Sequence, residues 1–116
     1  VFGCGGDRDA GKRSEMGRIA DSLADQLVVT NDNPRSEAPS LIANHILSGV
    51  SAAPCHVELD RGEAIRYAVL GAQRGDTVLV AGKGHETYQV IGERKLDFSD
   101  VDCAGQVLRE RELAHA

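Results

Sequence analysis

The run at residues 77–81 is the strongest constraint on what this chain can fold into. It reads Thr-Val-Leu-Val-Ala and is bounded by Gly75 and Gly82. A short apolar run without polar alternation is typical of a strand that is covered on both faces, as in the middle of a parallel sheet. We therefore predict a buried central strand at residues 77–81.

Helical and extended segments alternate through the rest of the chain. Strands are predicted through Val28 and Val29 and over residues 55–59, and a hairpin over residues 88–96 with a turn at Gly92. Apolar residues at three- and four-residue spacings predict the intervening helices, on the faces Met16, Ile19, Ala20, Leu23 and Leu27; Leu41, Ile42, His45 and Ile46; and Ile65, Ala68, Val69 and Ala72.

A last helix is predicted to begin at Ser99 or Asp100. This order predicts an α/β fold with a doubly wound, mostly parallel Rossmann-like sheet, flanked by helices and carrying a small hairpin near its C-terminal edge.

Composition narrows the classes of partner. A length of 116 residues allows a single domain, and a net charge of −5 with only 3% aromatic residues argues against nucleic-acid binding. No apolar run approaches the roughly 20 residues of a membrane span, so we expect no membrane contact and a cytoplasmic location. The three distant cysteines predict free thiols, with neither a disulfide framework nor a metal site.

Three polar loops follow the predicted strand ends, at residues 3–13, 31–35 and 82–86; we call them the first, second and third loops. Because parallel strands end at one edge of a sheet, where ligands of α/β proteins bind, we predict that these loops converge. In the second loop, Pro34 holds Asn33 extended and so aims Arg35, whose guanidinium suits a carboxylate or a phosphate. The alternative is an ordinary Asn-Pro turn.

The first loop matches the opening of a phosphate-binding Walker A motif at Gly6, Gly11 and Lys12. Arg13 stands where that motif has the Ser or Thr that holds Mg²⁺, so we do not predict a true P-loop. Arg8, Lys12, Arg13 and the start of a helix still make an anion contact plausible, and a charged turn without a ligand is the alternative.

In the third loop, Gly82 and Gly84 let the backbone approach a ligand, and Glu86 can accept a hydrogen bond from an ammonium group. His85 alone is more typical of a structural hydrogen-bonding residue. Arg8 and Arg35 as carboxylate ligands, with Asp32 and Glu86 as ammonium acceptors, suit a small zwitterion that carries more than one carboxylate.

Three ordered motifs, GGDRDAGKRSEM at residues 5–16, TNDNPRSEAP at 30–39 and GKGHETYQ at 82–89, give the chain a family resemblance. Over essentially its whole length it resembles the C-terminal domain of the Mur ligases, in particular the members that add meso-diaminopimelate. In lysine-adding members, the position of Arg35 differs.

The resemblance implies a cytoplasmic, ATP-dependent amide-bond ligase of peptidoglycan synthesis that joins diaminopimelate to UDP-MurNAc-L-Ala-D-Glu through an acyl phosphate. The positions that match the family's diaminopimelate site are Arg8, Asp32, Asn33, Pro34, Arg35, Gly82 and Glu86. Lys12 and His85 match possible supporting or ATP-side contacts.

The resemblance also implies that ATP, Mg²⁺ and the UDP-linked dipeptide bind mainly in two preceding domains. The chain begins at Val1 and Phe2, which we predict to lie inside an apolar strand. We therefore expect residues 1–116 to be a monomeric, non-catalytic fragment of a three-domain enzyme, without the first strand and helix of its own domain. The alternatives are a lysine-adding Mur ligase domain and a stand-alone module that binds phosphate or a nucleotide.

Overall fold

Helices and short strands alternate through residues 1–114, the part of the chain that the computed structural model describes. Their bounds are α1 Gly11–Leu23, β1 Leu27–Val29, α2 Pro39–Leu47, β2 Cys55–Val57, α3 Arg61–Gly71, β3 Tyr88–Ile91, β4 Arg94–Asp97 and α4 Asp100–Ala114.

The strands that lead into the polar loops pair in parallel. β1 pairs in parallel with β2, with Val28 opposite His56. On the other side of β1, Phe2 N–H donates to the carbonyl of Val28 at 3.1 Å, which makes a parallel bridge to Val29. Val1 in turn is hydrogen-bonded to the 77–81 segment. The order across the sheet is therefore residues 79–81, residues 1–2, β1 and β2.

Two apolar cores lie on opposite faces of this sheet. One core packs α2 against the sheet and comprises Phe2, Cys4, Leu27, Val29, Ile42, Ala43 and Ile46. The other lies between α3 and α4 and is built on Ile65, Val69 and Val107, with Val1, Val80 and Phe98 packed against it. Adjacent residues Val1 and Phe2 thus serve opposite cores, which confirms the doubly wound α/β prediction.

The prediction of a buried central strand at residues 77–81 is wrong. The segment belongs to no assigned strand, and Leu79 is 72% exposed. Its backbone hydrogen bonds to the sheet, within residues 1–114, are those with Val1: the amino terminus donates to Leu79 O at 2.8 Å, and Ala81 N–H donates to Val1 O at 2.9 Å. Apolar residues make a segment suitable for burial, but they are buried only where other parts of the chain pack on both of its sides.

The helix predicted from the apolar face at residues 16–27 is present as α1, but Leu27 belongs to β1 and the face is not the buried one, since Met16, Ile19 and Leu23 are 41%, 48% and 82% exposed. α1 instead meets α2 through glycine. A Cβ at Gly17 would lie 2.1 Å from the carbonyl oxygen of Ile46, and one at Gly49 would lie 2.0 Å from that of Ser14. Backbone contact on the glycine side of the helix leaves the apolar stripe outside.

The remaining elements follow the sequence prediction. β3 and β4 form the expected antiparallel hairpin, and Gly92 takes the positive φ of its turn. Pro39 occupies the first turn of α2, and Asp60 caps α3 by accepting a hydrogen bond from Glu63 N–H at 3.0 Å. All three cysteines are free, and burial raises the pKa of the Cys4 thiol.

A buried ion pair joins the second core to the edge of the sheet. The side chain of Arg61 is 0% exposed, and it donates from Nε and Nη2 to the two carboxylate oxygens of Asp100 at 2.7 and 2.8 Å. The same guanidinium donates to the carbonyls of Asn31 and Ala81 at 3.0 and 3.1 Å. One side chain therefore holds α3, α4, the end of β1 and the residue before Gly82.

We expect Arg61→Met to lower the free energy of unfolding by about 3–5 kcal/mol, because it leaves the Asp100 carboxylate buried without its partner. The matched control is Arg66→Met, which removes the half-exposed pair between Arg66 and Glu110 on the same two helices. That control should cost about 0–1 kcal/mol. Urea denaturation measures both, and equal losses would contradict the role of Arg61.

Candidate functional site

The three polar loops meet at one edge of the sheet, as predicted. Gly6 N–H donates to Asn33 O at 2.8 Å, which joins the first loop to the second. The ammonium group of Lys83 donates to Asn33 Oδ1 at 3.0 Å, which joins the third loop to the second. The second loop is therefore held between the other two.

Glycines in the first loop let its backbone lie directly on the second. A Cβ at Gly3 would be 2.1 Å from the carbonyl oxygen of Thr30, and one at Gly6 would be 1.7 Å from that of Pro34. Both distances are shorter than any real Cβ contact, and each involves backbone atoms that cannot swing aside. Any side chain at either position would separate the loops.

Arg35 is held by the hairpin as well as by its own proline. Its N–H donates to Val90 O at 3.1 Å, and its carbonyl accepts from Gly92 N–H at 2.7 Å. The guanidinium donates from Nη1 to Gly6 O at 2.9 Å. Arg35 is thus held in place, and its backbone is held by Val90 of β3 and by Gly92, which the Pro34 argument alone did not reveal.

Two non-glycine residues within 1–114 have positive φ, and both lie in these loops. They are Asp7, at +54°, and Arg35, at +52°. Asp7 is held by its own N–H, which donates to Glu37 Oε1 at 2.9 Å, and by the hydroxyl of Ser36, which donates to its carboxylate at 2.7 Å. Such conformations cost about 1–3 kcal/mol each and persist where surrounding contacts impose them, commonly at binding sites.

Arg8 and Arg35 flank Gly5. A Cβ on Gly5 would lie 3.0 Å from Arg35 Nη1 and 3.4 Å from Arg8 Cγ. Arg8 is exposed, and its Nη1 donates to Asp7 O at 3.1 Å. Two predicted carboxylate ligands are thus adjacent on one side of the site. Lys12 and His85 are also exposed, and the structure gives neither of them a side-chain hydrogen bond within residues 1–114.

The two predicted ammonium acceptors have different surroundings. Asp32 is already paired, since its Oδ1 lies 3.1 Å from Lys83 Nζ; a Cβ on Gly82, whose φ is +115°, would lie 3.1 Å from Oδ2. Glu86 has a buried Oε2 without a hydrogen-bond partner in the described chain. Glu86 therefore has unused acceptor capacity, whereas one oxygen of Asp32 is already occupied by Lys83.

Sequence reasoning missed two residues that shape the second loop. Lys83, between Gly82 and Gly84, is buried, with 3% of its surface exposed. Gln89 of β3 is 7% exposed and donates from Nε2 to Asp32 O at 2.7 Å. The only sequence signal was a polar side chain at two positions of the third motif, and it did not distinguish an exposed ligand-binding group from a buried structural one.

Of the three first-loop cations that made an anion contact plausible, Arg13 is not available for one. Arg13 is 1% exposed and donates to Glu37 Oε1 at 3.0 Å, to Gly5 O at 3.1 Å and towards His45 Nδ1 at 3.0 Å. The side chain at the position of the Walker Ser or Thr is thus turned inwards and occupied. This geometry agrees with the sequence argument against a P-loop.

Hydrogen bonding to Glu37 raises the pKa of Arg13, and in return Arg13 lowers the pKa of Glu37, with help from the Asp7 N–H. A carboxylate whose pKa is lowered by folding stabilises the fold above its unfolded pKa, about 4.3, and loses that contribution as the pH falls through the lowered value.

We therefore expect Glu37→Gln to be less stable than the parent chain at pH 7, and the difference to shrink as the pH falls through the lowered pKa of Glu37. Urea denaturation across this range measures it, with Glu15→Gln on the exposed side of α1 as the control. A difference that does not change with pH would contradict the pairing.

Within residues 1–114, no group of His, Cys, Asp or Glu side chains is arranged to hold a metal ion. In the same part of the chain, none of the helices combines the length and the apolar character that crossing a membrane requires.

Comparison with curated proteins finds close relatives with one shared name. The chain is 55% identical over 115 residues to the UDP-N-acetylmuramoyl-L-alanyl-D-glutamate–2,6-diaminopimelate ligase of Synechococcus elongatus, which is 98% of this chain and 23% of that protein. It is 57% identical over 108 residues to the ligase of the same name from Chromobacterium violaceum, covering 93% of this chain and 22% of that one. The chain thus spans about a quarter of the length of these relatives.

A solved structure with the same ligase title matches the whole chain at 42% identity with a TM-score of 0.90, and the match covers 24% of that structure's chain. The family model described as Mur ligase, glutamate ligase domain matches residues 1–84, well over half of the sequence. The ordered loop motifs, the fold and these matches agree, and the chain belongs to the Mur ligase family.

Proposed function

We propose that this chain is the amino-acid-binding domain of an ATP-dependent ligase that adds meso-diaminopimelate to UDP-MurNAc-L-Ala-D-Glu in peptidoglycan precursor synthesis. The observation that carries the proposal is the restrained Arg35 beside Arg8, on the same loop edge as the unpaired carboxylate oxygen of Glu86. The names of the relatives support the choice of substrate.

Each side chain then has a role in holding one end of diaminopimelate. Arg8 and Arg35 bind carboxylate through charge-assisted hydrogen bonds, and Glu86 with the Gly82 carbonyl accepts from the ammonium group of the non-reacting end. Asn33 and Pro34 shape the wall between them. Anchoring this end presents the other amine for attack on the activated D-glutamate carboxylate.

ATP with Mg²⁺ supplies the activation of that carboxylate, as an acyl phosphate. In this proposal both bind mainly outside the chain, because the inward-turned Arg13 leaves no Mg²⁺-binding hydroxyl in the first loop. Lys12 and His85, both exposed, are the residues of this chain that could contact the phosphates. Residues 1–116 would by themselves bind the amino acid and catalyse no reaction.

We further propose that residues 1–116 form the C-terminal domain of a three-domain enzyme whose upstream part includes the first strand and helix of this domain. The chain spans less than a quarter of the relatives' length. The exposed apolar residues Val78 and Leu79, 36% and 72% exposed, are where an additional strand would pack.

Selectivity against lysine follows from charge. Lysine lacks the second carboxylate and would leave one guanidinium of the site unpaired in partly desolvated surroundings. The loss of a charge-assisted contact costs about 2–3 kcal/mol, which corresponds to roughly 30- to 150-fold in affinity.

The test uses a chimera in which this chain replaces the matching segment of the Synechococcus elongatus ligase. We expect Arg35→Ala to raise KM for diaminopimelate about 30-fold or more while KM for ATP changes less than about twofold. The control is Arg74→Ala, at an exposed arginine that follows α3.

An equal rise in both KM values would contradict the assignment of Arg35. A parent chimera that prefers lysine would favour the lysine-adding alternative. Tight binding of ATP and Mg²⁺ by the isolated chain would favour a stand-alone nucleotide-binding module.

A further inference from the structure

Lys83 places a positive charge between the second and third loops, away from solvent. Its side chain is 0% exposed, whereas that of its partner Asp32 is 17% exposed. A buried ammonium group is costly unless its donors are all used and an opposite charge is close. The buried ammonium group at this position therefore indicates a specific role for Lys83.

The ammonium group of Lys83 has two hydrogen bonds and one ion-pair contact. Nζ lies 3.1 Å from Asp32 Oδ1, 3.0 Å from Asn33 Oδ1 and 2.9 Å from the carbonyl oxygen of Tyr88. An ammonium group has three N–H donors, and three acceptors are present. Because its side chain is also 0% exposed, Lys83 does not reach a ligand, and any effect on binding must pass through its neighbours.

The first effect concerns the orientation of Asn33. Its Oδ1 accepts from Lys83 Nζ and, at 2.9 Å, from Val90 N–H of β3. These two donors identify which end of the amide is the acceptor, so that the Nδ2 end remains a donor. The third loop and the hairpin therefore hold one residue of the second loop together.

The second effect concerns the charge of Asp32. The ammonium group neutralises a carboxylate that would otherwise attract the second ammonium of a diamino acid. With Lys83 present, the two arginines dominate the charge of the site and Glu86 is the remaining acceptor. Without Lys83, Asp32 would add an unpaired negative charge, which repels carboxylates and attracts cations.

We infer that Lys83 is a positioning residue that holds Asp32 and Asn33 in place and tilts the site towards an amino acid with two carboxylates and away from one with a single carboxylate. The positioning part stands on the contacts of this chain alone. The selectivity part rests on the proposed function, and two separate measurements test the two parts.

The first measurement is amide hydrogen exchange on the full chain. We expect Lys83→Met to accelerate exchange of the Val90 N–H about tenfold or more, because its acceptor Asn33 loses a restraint. The Thr30 N–H, which donates to Phe2 O at 2.9 Å, should change less than about twofold and so report an intact sheet. Unchanged protection at Val90 would overturn the positioning role.

Lys95→Met is the matched control. Lys95 is exposed on the same hairpin and lies over the same Tyr88 ring, with its Nζ 4.3 Å from the ring centroid. The Lys95→Met change removes an equal charge, and Lys95 has no contact with Asp32 or Asn33 in the structure. Both Val90 exchange and substrate preference should match those of the parent.

The second measurement is the ratio of kcat/KM for diaminopimelate over lysine in the chimera. We expect Lys83→Met to lower this ratio about tenfold, mainly through KM for diaminopimelate, with KM for ATP changed by less than about twofold. Asp32→Asn should shift the ratio the other way, and the double variant should return it towards the parent value. A merely structural brace would instead make both single variants lower the ratio.

The two ideas fail separately. An unchanged ratio in Lys83→Met would overturn the selectivity role of Lys83 while the proposed function stands. A parent chimera that joins neither amino acid would contradict the proposed function, whereas faster exchange at Val90 would still support the positioning role.

Discussion

The buried pair between Arg61 and Asp100 is the interaction on which the site edge depends. Two charges removed from water cost several kcal/mol each unless their hydrogen-bonding capacity is used. Here the bidentate contact is completed by the carbonyls of Asn31 and Ala81. Asn31 begins the second loop and Ala81 directly precedes the third. The same guanidinium that joins α3 to α4 therefore also sets the spacing of these two loops.

On this base the second loop is held from three directions: by Gly6 of the first loop, by Lys83 of the third, and by β3 through Gln89 and Val90. These contacts maintain the positive φ of Arg35, a conformation that an isolated loop would leave. A site built this way loses little conformational entropy on binding, because its groups are already placed.

The sequence predicted more of the local structure than of the burial. Apart from the 77–81 strand, the order of helices and strands was confirmed, as were the hairpin, the Asp60 cap and the meeting of three loops, since they depend on periodicity, turn residues and the geometry of parallel strands. The prediction of a buried strand at residues 77–81 was wrong, and the apolar face of α1 is exposed. Leu79 and Leu23 are as apolar as core residues, but the first has Val1 on one side only, and the second ends α1, which meets α2 through Gly17 instead.

By itself, the sequence determined the α/β architecture and which loops carry the charged residues, because those properties follow from neighbouring residues along the chain. The tertiary structure decided what each charge does. Arg13, Arg61 and Lys83 are buried braces, whereas Arg8 and Arg35 flank the open part of the site. The reason is physical: a cation becomes a brace only when folding brings it a distant carboxylate, as Glu37, Asp100 and Asp32 show.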